Sequence, residues 1–520
     1  MKFIFIFFVS FLNLFISNRS LSAAEIINIK FEEMIIPISI DKLSKLETYK
    51  DDSTELTDWI NSNGLKKIFE LSKILEYPVF KERGFSNQIL SSWIGRKVIS
   101  ELGKTIIVPG DKEGIIVLNT IKDLLLINNE VSTLDLLKAI PVEEIELDID
   151  NLILIVSSWK RDLYEQQNLV DKLNEIEKSE ENLNLKLEEN LVITDSIMQS
   201  IIVTHREEPL ALEFWKPINL SDKELIIFMP GLGGDINNFS WIGEELSKRG
   251  WPVIFIDHAG SNSIALKDVI EGQKDLPEAD DFYLNRLLDL ESVILAHENN
   301  KFSLSNSSYI LMGHSLGTLI AFLYEGEFKQ NNFESICQDA FSDFALTNLS
   351  KLLQCQLTEV SLPKFNPSSN LSAIVGFNGF GSMIWPKERE SGIEVPILLI
   401  GGTFDLVTPL MGEQFNLFLS NSYNSLNRFL VIEGASHFSP IRIKDENSDG
   451  EKEEDVFKIN QTFIGANPYS VQKLSIEIIL SFLEGLEEEE GLSTFYKQNE
   501  FELNFHILDS NNVKDIFKDQ

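Results

Sequence analysis

In Tyr309-Ile310-Leu311-Met312-Gly313-His314-Ser315-Leu316-Gly317-Thr318-Leu319-Ile320 an apolar run passes through Gly-x-Ser-x-Gly into a second run of small and apolar residues. The first run has the character of a buried strand and the second that of a helix, with Ser315 on the turn between them. That arrangement is a nucleophile elbow, a sharp strand-to-helix turn that lifts the serine hydroxyl above the sheet. Gly313 and Gly317 let strand and helix approach where a Cβ would collide. The pattern has three fixed positions and also arises by chance; its strand-then-helix setting gives it weight.

On either side of the elbow, strands and helices alternate. Upstream, 210–215 and 225–228 read as strands, the second running into Met229-Pro230-Gly231-Leu232-Gly233-Gly234-Asp235. A helix over 239–249 is closed by Gly250, a strand over 252–256 ends at Asp257-His258-Ala259-Gly260, and a polar connection over 261–280 leads to a helix over 282–297. Downstream come a helix over 318–328, a mostly helical insertion at 329–370, strands over 373–377, 395–400 and 428–432, and an amphipathic helix over 471–486. Such alternation gives an α/β fold with a mostly parallel sheet covered on both faces.

A serine hydroxyl is a weak nucleophile; it needs a base, and the base needs an orienting acid. In sheets of this type the chain order is serine, acid, histidine. Asp405 follows the strand over 395–400 and Gly401-Gly402-Thr403-Phe404 directly, and it is the expected acid. Asp339 and Asp343 also follow the serine, but they lie on the insertion. Of six histidines, His205, His258 and His297 precede the serine, His506 lies in the terminal region, and His314 sits inside the elbow with its side chain expected away from the attack direction. His437, immediately after the strand over 428–432, is left as the base; the plain alternative is a surface-loop histidine. Two N–H groups must meet the developing oxyanion. Leu316 supplies one as the residue after the nucleophile, and Leu232 the other, in a loop where Gly231, Gly233 and Gly234 allow close backbone approach. These glycines fit neither the P-loop nor GxGxxG, so a phosphate cradle is not expected.

The chain of 520 residues is long enough for two or three domains, and 43% hydrophobic with 24% charged residues describes a globular protein. A formal net charge of −36 with no Lys/Arg cluster argues against a nucleic-acid partner. Residues 1–24 read as a secretion signal: Lys2, then an apolar run over 3–16, then Ser22-Ala23-Ala24 before Glu25. An uncleaved anchor is the alternative, although the run is short for a membrane span. No later segment is long and apolar enough to span, so no membrane span is expected in the mature chain, which would be periplasmic or extracellular. The two cysteines, Cys337 and Cys355, permit one disulfide in an exported chain, with two free thiols as the alternative. Residues 25–150 open with a short hairpin in Ile26 to Ile40 and then show helical spacing (Trp59, Leu65, Ile68, Phe69, Leu71, Ile74; then Ile89, Leu90, Trp93, Ile94, Val98), with further helices over 115–127 and 134–140. They read as a small, mainly helical domain. Residues 151–200 read as a helical, acidic linker, 201–490 as the α/β domain, 444–455 as an acidic loop within it, and 491–520 as a tail.

The segment over 223–443 resembles the α/β-hydrolase superfamily, in its dienelactone hydrolase and platelet-activating-factor acetylhydrolase-like branch. The whole chain is similar to cyanobacterial predicted hydrolases with an N-terminal helical domain of unknown function. The residues that carry this are Ala24-Glu25-Ile26, Pro230-Gly231-Leu232-Gly233, Asp257-His258-Ala259-Gly260-Ser261, Asn348-Leu349-Ser350-Lys351-Leu352-Leu353-Gln354-Cys355, Asp405-Leu406-Val407-Thr408-Pro409 and Gly434-Ala435-Ser436-His437-Phe438-Ser439. The resemblance implies the triad Ser315, Asp405, His437, an exported location and hydrolysis of an ester. Pro230 stands where relatives often have a histidine, which leaves the support of that loop open. Taken together, the expectation is an exported serine hydrolase acting on a small-molecule or lipid carboxylic ester, with no metal or organic cofactor. A thioesterase, lactonase or lipid-ester hydrolase on the same triad, or a non-catalytic binding protein on the same scaffold, are the alternatives.

Overall fold

The chain divides into two units, residues 1–156 with 269–276 and residues 157–268 with 277–520, and among the described residues each holds a hydrophobic core. The computed structural model describes residues 24–31, 33–43, 78–81, 103–111, 114–128, 130–148, 150, 151, 164, 168–175, 195–218, 222–270, 273, 274, 278–326, 328, 332–342, 348, 350–365, 369–386, 392–441, 465–487 and 495–517. Residues 1–23 of the stretch read as a leader, most of the expected linker and the stretch read as an acidic loop lie outside them. Among the described residues no helix is long and apolar enough to cross a membrane.

The first unit holds β1 (Ile26–Phe31), β2 (Met34–Ser39), β3 (Pro78–Lys81), β4 (Ile106–Ile107), β5 (Glu130–Ser132) and β6 (Glu144–Asp148). Strands β1 and β2 form the expected hairpin, and β6 and β4 extend it to a sheet of order β2-β1-β6-β4; β3 pairs with β5. Helices Ile115–Ile127 and Thr133–Ala139 stand where the spacing places helices. The second starts at a capping box, Asp135 N–H donating to Ser132 Oγ at 3.1 Å and Ser132 N–H to Asp135 Oδ2 at 3.0 Å. Beside these helices, β3 to β6 make the described part a mixed α/β arrangement where a mainly helical one was expected. Glu144-Ile145-Glu146-Leu147-Asp148 alternates as a strand should, but its parallel pairing with β1 joins residues more than a hundred positions apart, which no local pattern specifies. The stripes expected over 59–75 and 89–99 lie outside the described residues.

The second unit is built on a ten-stranded sheet: β7 (Ser196–Ile201), β8 (Leu210–Trp215), β9 (Leu225–Met229), β10 (Val253–Ile256), β11 (Tyr309–His314), β12 (Leu371–Phe377), β13 (Ile397–Gly402), β14 (Arg428–Ile432), β15 (Phe495–Glu500) and β16 (Leu503–Leu508). Their order is β15-β16-β14-β13-β12-β11-β9-β10-β8-β7. The six strands from β10 to β14 run parallel, and β8 and β16 close the two sides antiparallel. Every residue of Leu225-Ile226-Ile227-Phe228-Met229 is buried, as strands covered on both faces require. On one face Trp241, Ile242 and Leu246 of helix Ser240–Lys248, and Val471, Leu474, Ile478 and Phe482 of helix Pro468–Glu487, join Phe228, Phe255 and Val375 in one core. Helix Leu316–Glu325 packs on β9, β11 and β12, with helix Asn285–Glu298 against it.

Two boundaries move. Strand β7 begins inside the stretch read as linker, and the stretch read as a tail carries β15, β16 and helix Ser510–Phe517, so the sheet runs almost to the end of the chain. The insertion contains helices Phe333–Ser342 and Ser350–Gln356, joined by a Cys337–Cys355 disulfide with Cα atoms 5.6 Å apart.

Candidate active site

Strand β11 ends at His314 and the following helix starts at Leu316, leaving Ser315 alone on the turn with φ 52° and ψ −117°. A non-glycine residue pays for that conformation in strain, and such strain collects at functional positions. The turn is held by Ser315 N–H donating to Phe377 O at 2.8 Å, and by Thr318 Oγ donating to Gly313 O at 2.8 Å. Gly317 is required here, since a Cβ on it would fall 1.9 Å from Met229 O. The helix therefore packs directly onto the end of β9. Ser315 is 7% exposed.

Asp405 lies in the loop after β13, and His437 in the loop after β14. The parallel pairing of these strands brings the loops side by side. Phe404 N–H donates to Ala435 O at 2.9 Å and Gly434 N–H to Thr403 Oγ1 at 2.9 Å, so the two loops are stitched together. His437 Nδ1 then meets Asp405 Oδ2 at 3.0 Å. The carboxylate is fully buried and its other acceptor capacity is filled by neutral or backbone donors. Thr408 Oγ1 (2.6 Å), Asn378 Nδ2 (2.7 Å) and Gln414 Nε2 (3.0 Å) reach Oδ2, and the N–H groups of Val407 (2.9 Å) and Thr408 (2.8 Å) reach Oδ1. Burial pushes the Asp405 carboxyl up, but the His437 imidazole beside it and these hydrogen bonds hold it below its ordinary value. The acid is thus charged, fixed and aimed at one ring nitrogen of His437.

The elbow and the base loop meet through His314, whose ring centroid is 4.8 Å from that of His437. Its Nε2 donates to His437 O at 3.0 Å. Burial, with the neighbouring His437 ring, pushes His314 down to about 3, so it stays neutral. It holds the His437 loop, a role the sequence reading did not give it. The remaining histidines are engaged elsewhere: His205 and His258 with Asp289, His297 with Ser308 O, and His506 with Glu433.

The loop after β9 presses on the elbow, for a Cβ on Gly231 would lie 3.2 Å from Ser315 Cβ. Within it, Gly233 N–H donates to Ser261 O at 2.9 Å and Gly234 N–H to Gly231 O at 3.1 Å. Those two amides are thus engaged, one with the segment after β10 and one within the loop, and Leu232 stands between them and Gly231. Leu316 opens its helix, where first-turn N–H groups have no intrahelical acceptor.

The insertion is tied to the same end of the sheet by a second buried carboxylate. Glu413, wholly buried, accepts from Asn348 Nδ2 (2.7 Å), Gln354 Nε2 (3.0 Å) and the N–H of Ser382 (3.1 Å). Thr318, Asn378, Gln414 and Glu413 escaped the sequence reading because each acts through partners distant in the chain; only Asn378 and Gln414, polar residues beside apolar strand and turn segments, left a local sign. Among the described residues no group of His, Cys, Asp and Glu is arranged to hold a metal ion.

A mostly parallel sheet with a strained serine after β11, an acid after β13 and an imidazole after β14 defines the α/β-hydrolase fold. Residues 23–148 match the family model described as "Alpha/beta hydrolase of unknown function (DUF1400)". The match covers the N-terminal region, and it supports the superfamily and a hydrolase character for the chain. No curated protein matches.

Proposed function

We propose that the chain is an exported serine hydrolase that cleaves a carboxylic ester through an acyl-enzyme. The observation that carries this is the Asp405–His437 pair at 3.0 Å, on a loop that His314 of the elbow bonds at 3.0 Å, with Ser315 next to His314 and held at φ 52°. In the proposed reaction His437, fixed through Nδ1 by Asp405, uses its other ring nitrogen to take the Ser315 proton. Ser315 attacks the ester carbonyl, and the amides of Leu232 and Leu316 receive the oxyanion. The same imidazole returns its proton to the leaving alcohol, then activates the water that releases the acid. Phe404 (38% exposed) and Leu406 (41% exposed) flank Asp405 and keep apolar surface in solvent, which supports an apolar group on the ester, as in the branch that the sequence resembles. The Cys337–Cys355 bond supports export, because disulfides persist in oxidising compartments.

A fluorophosphonate probe tests the reading: Ser315 labels in the folded wild type, and Ser315→Ala neither labels nor hydrolyses p-nitrophenyl esters, a loss of about 10⁴-fold or more. A p-nitrophenyl series from acetate to palmitate then reads the preferred acyl length. A folded wild type that does not label and turns over no ester of the series would instead be a binding protein on this scaffold.

A further inference from the structure

The loop that offers Leu232 begins at Pro230, so a side chain at the head of the loop does not brace it. The support comes from Arg286, on helix Asn285–Glu298 and 1% exposed. Its Nη1 donates to Pro230 O at 2.7 Å, its Nη2 to Gly231 O at 3.0 Å and to Ser261 O at 3.1 Å, and its Nε to Ser261 Oγ at 2.7 Å. Among the described residues these four bonds all end on neutral oxygens.

A guanidinium taken out of water without a carboxylate in direct contact is costly, and the usual remedy is an ion pair with hydrogen bonds. Here burial pulls Arg286 down to about 9, and the carboxylates of Asp289 and Asp257 work against that from beyond hydrogen-bond contact. The charge is retained at neutral pH and directed at two consecutive backbone carbonyls.

One of those carbonyls matters chemically. Gly231 C=O and Leu232 N–H belong to one peptide unit, and in a planar trans peptide they point in opposite directions. A cation that holds the oxygen also fixes the direction of the N–H. Charge-assisted hydrogen bonds are roughly twice as strong as neutral ones, and bonds in series polarise one another. Drawing electron density toward Gly231 O therefore makes Leu232 N–H a stronger donor. Gly234 N–H, on the same oxygen, adds to the effect.

We infer that Arg286 is a positioning residue for the oxyanion site: through Gly231 O it orients and polarises the Leu232 amide that receives the negative charge. This rests on the hydrolase reading above. Arginine suits the task and lysine does not, because the planar fork reaches Pro230 O, Gly231 O and both Ser261 oxygens at once.

The test uses the full chain and three readouts: p-nitrophenyl acetate kinetics, inhibition by an aryl trifluoromethyl ketone whose adduct with serine places an oxyanion in the same site, and fluorophosphonate labelling. Arg286→Lys and Arg286→Met are expected to lose about 10- to 100-fold in kcat, within the range for weakening an oxyanion donor, with KM nearly unchanged. The ketone should weaken by the same factor, because it reports transition-state complementarity and not folding. Should Arg286→Met fail to fold, Arg286→Lys and Ser261→Ala carry the test, with the same kcat and ketone losses on a smaller scale. Folded variants that keep wild-type kcat and ketone affinity, or that lose activity through KM alone, overturn the inference. Failure of the hydrolase reading looks different: the wild type itself neither labels nor turns over the ester, and the inference falls with it.

Discussion

Asp405 meets His437 at 3.0 Å and Asp289 meets His258 at 2.8 Å, and by distance alone the two pairs are interchangeable. All four side chains are buried. The difference lies in what else each carboxylate touches. Beyond His437, Asp405 accepts from hydroxyl, carboxamide and backbone donors. Asp289 is also bonded to His205 Nε2 at 2.7 Å and to Arg206 through Nε and Nη2, both at 2.7 Å. Its charge is already matched by a guanidinium, and it serves to anchor Arg206 and two imidazoles. Burial pushes the Asp289 carboxyl up, yet hydrogen bonds from His205, His258 and Arg206 hold it far below its ordinary value. The Asp289 pair is thus part of a charge cluster with Arg206, whereas the Asp405 pair lies on the loop that His314 of the elbow holds.

Exchanging carboxylate for carboxamide at each site should separate the two. Asp405→Asn is expected to fold and to lose about 10⁴-fold in kcat, since a carboxamide favours the wrong imidazole tautomer; ester turnover and a circular dichroism melt measure both halves. Asp289→Asn should do the reverse. It leaves the half-buried Arg206 without the carboxylate that pairs with it, a loss of up to about 3 kcal/mol in a urea titration, while folded protein keeps most of its kcat. Equal losses of kcat in the two variants would erase the distinction.

The smallest effect is one of pH. Burial, and next the charge of Arg286, push His258 down from 6.5 to about 4, although the Asp289 carboxylate works the other way. Folded His258 is therefore neutral where unfolded His258 takes up a proton. Its contribution is intact above the unfolded value and is lost as pH falls from about 6.5 toward 4, at up to about 1.4 kcal/mol per pH unit. Urea midpoints at pH 7, 6 and 5 should show that slope, and His258→Gln should flatten it.

Local pattern carried the centre of the fold. Gly313 to Gly317 marked the elbow, continuous apolar runs marked β9, β11 and β13, and chain order pointed to Asp405 and His437. What escaped depends on register and long reach. Arg286 looks like any charged residue on an amphipathic helix; its purpose appears only when Pro230 O and Gly231 O, 56 and 55 positions earlier, come within 3.0 Å. The final hairpin was legible in principle, because Leu503-Asn504-Phe505-His506-Ile507 alternates with period 2. Nothing local tells such a strand to pair with β14, since partner choice is settled by the exposed edge that it finds.

That hairpin has a bearing on when the molecule can become complete. Glu433, four residues before His437, donates its N–H to Asn504 O at 2.9 Å, and its carboxylate receives Asn504 Nδ2 at 3.1 Å and His506 Nε2 at 2.9 Å. The brace behind the His437 loop thus lies 71 positions later in the chain than the loop it supports. Synthesis from the N-terminus makes Ser315, Asp405 and His437 before this brace, so the loop waits on a later segment for its support.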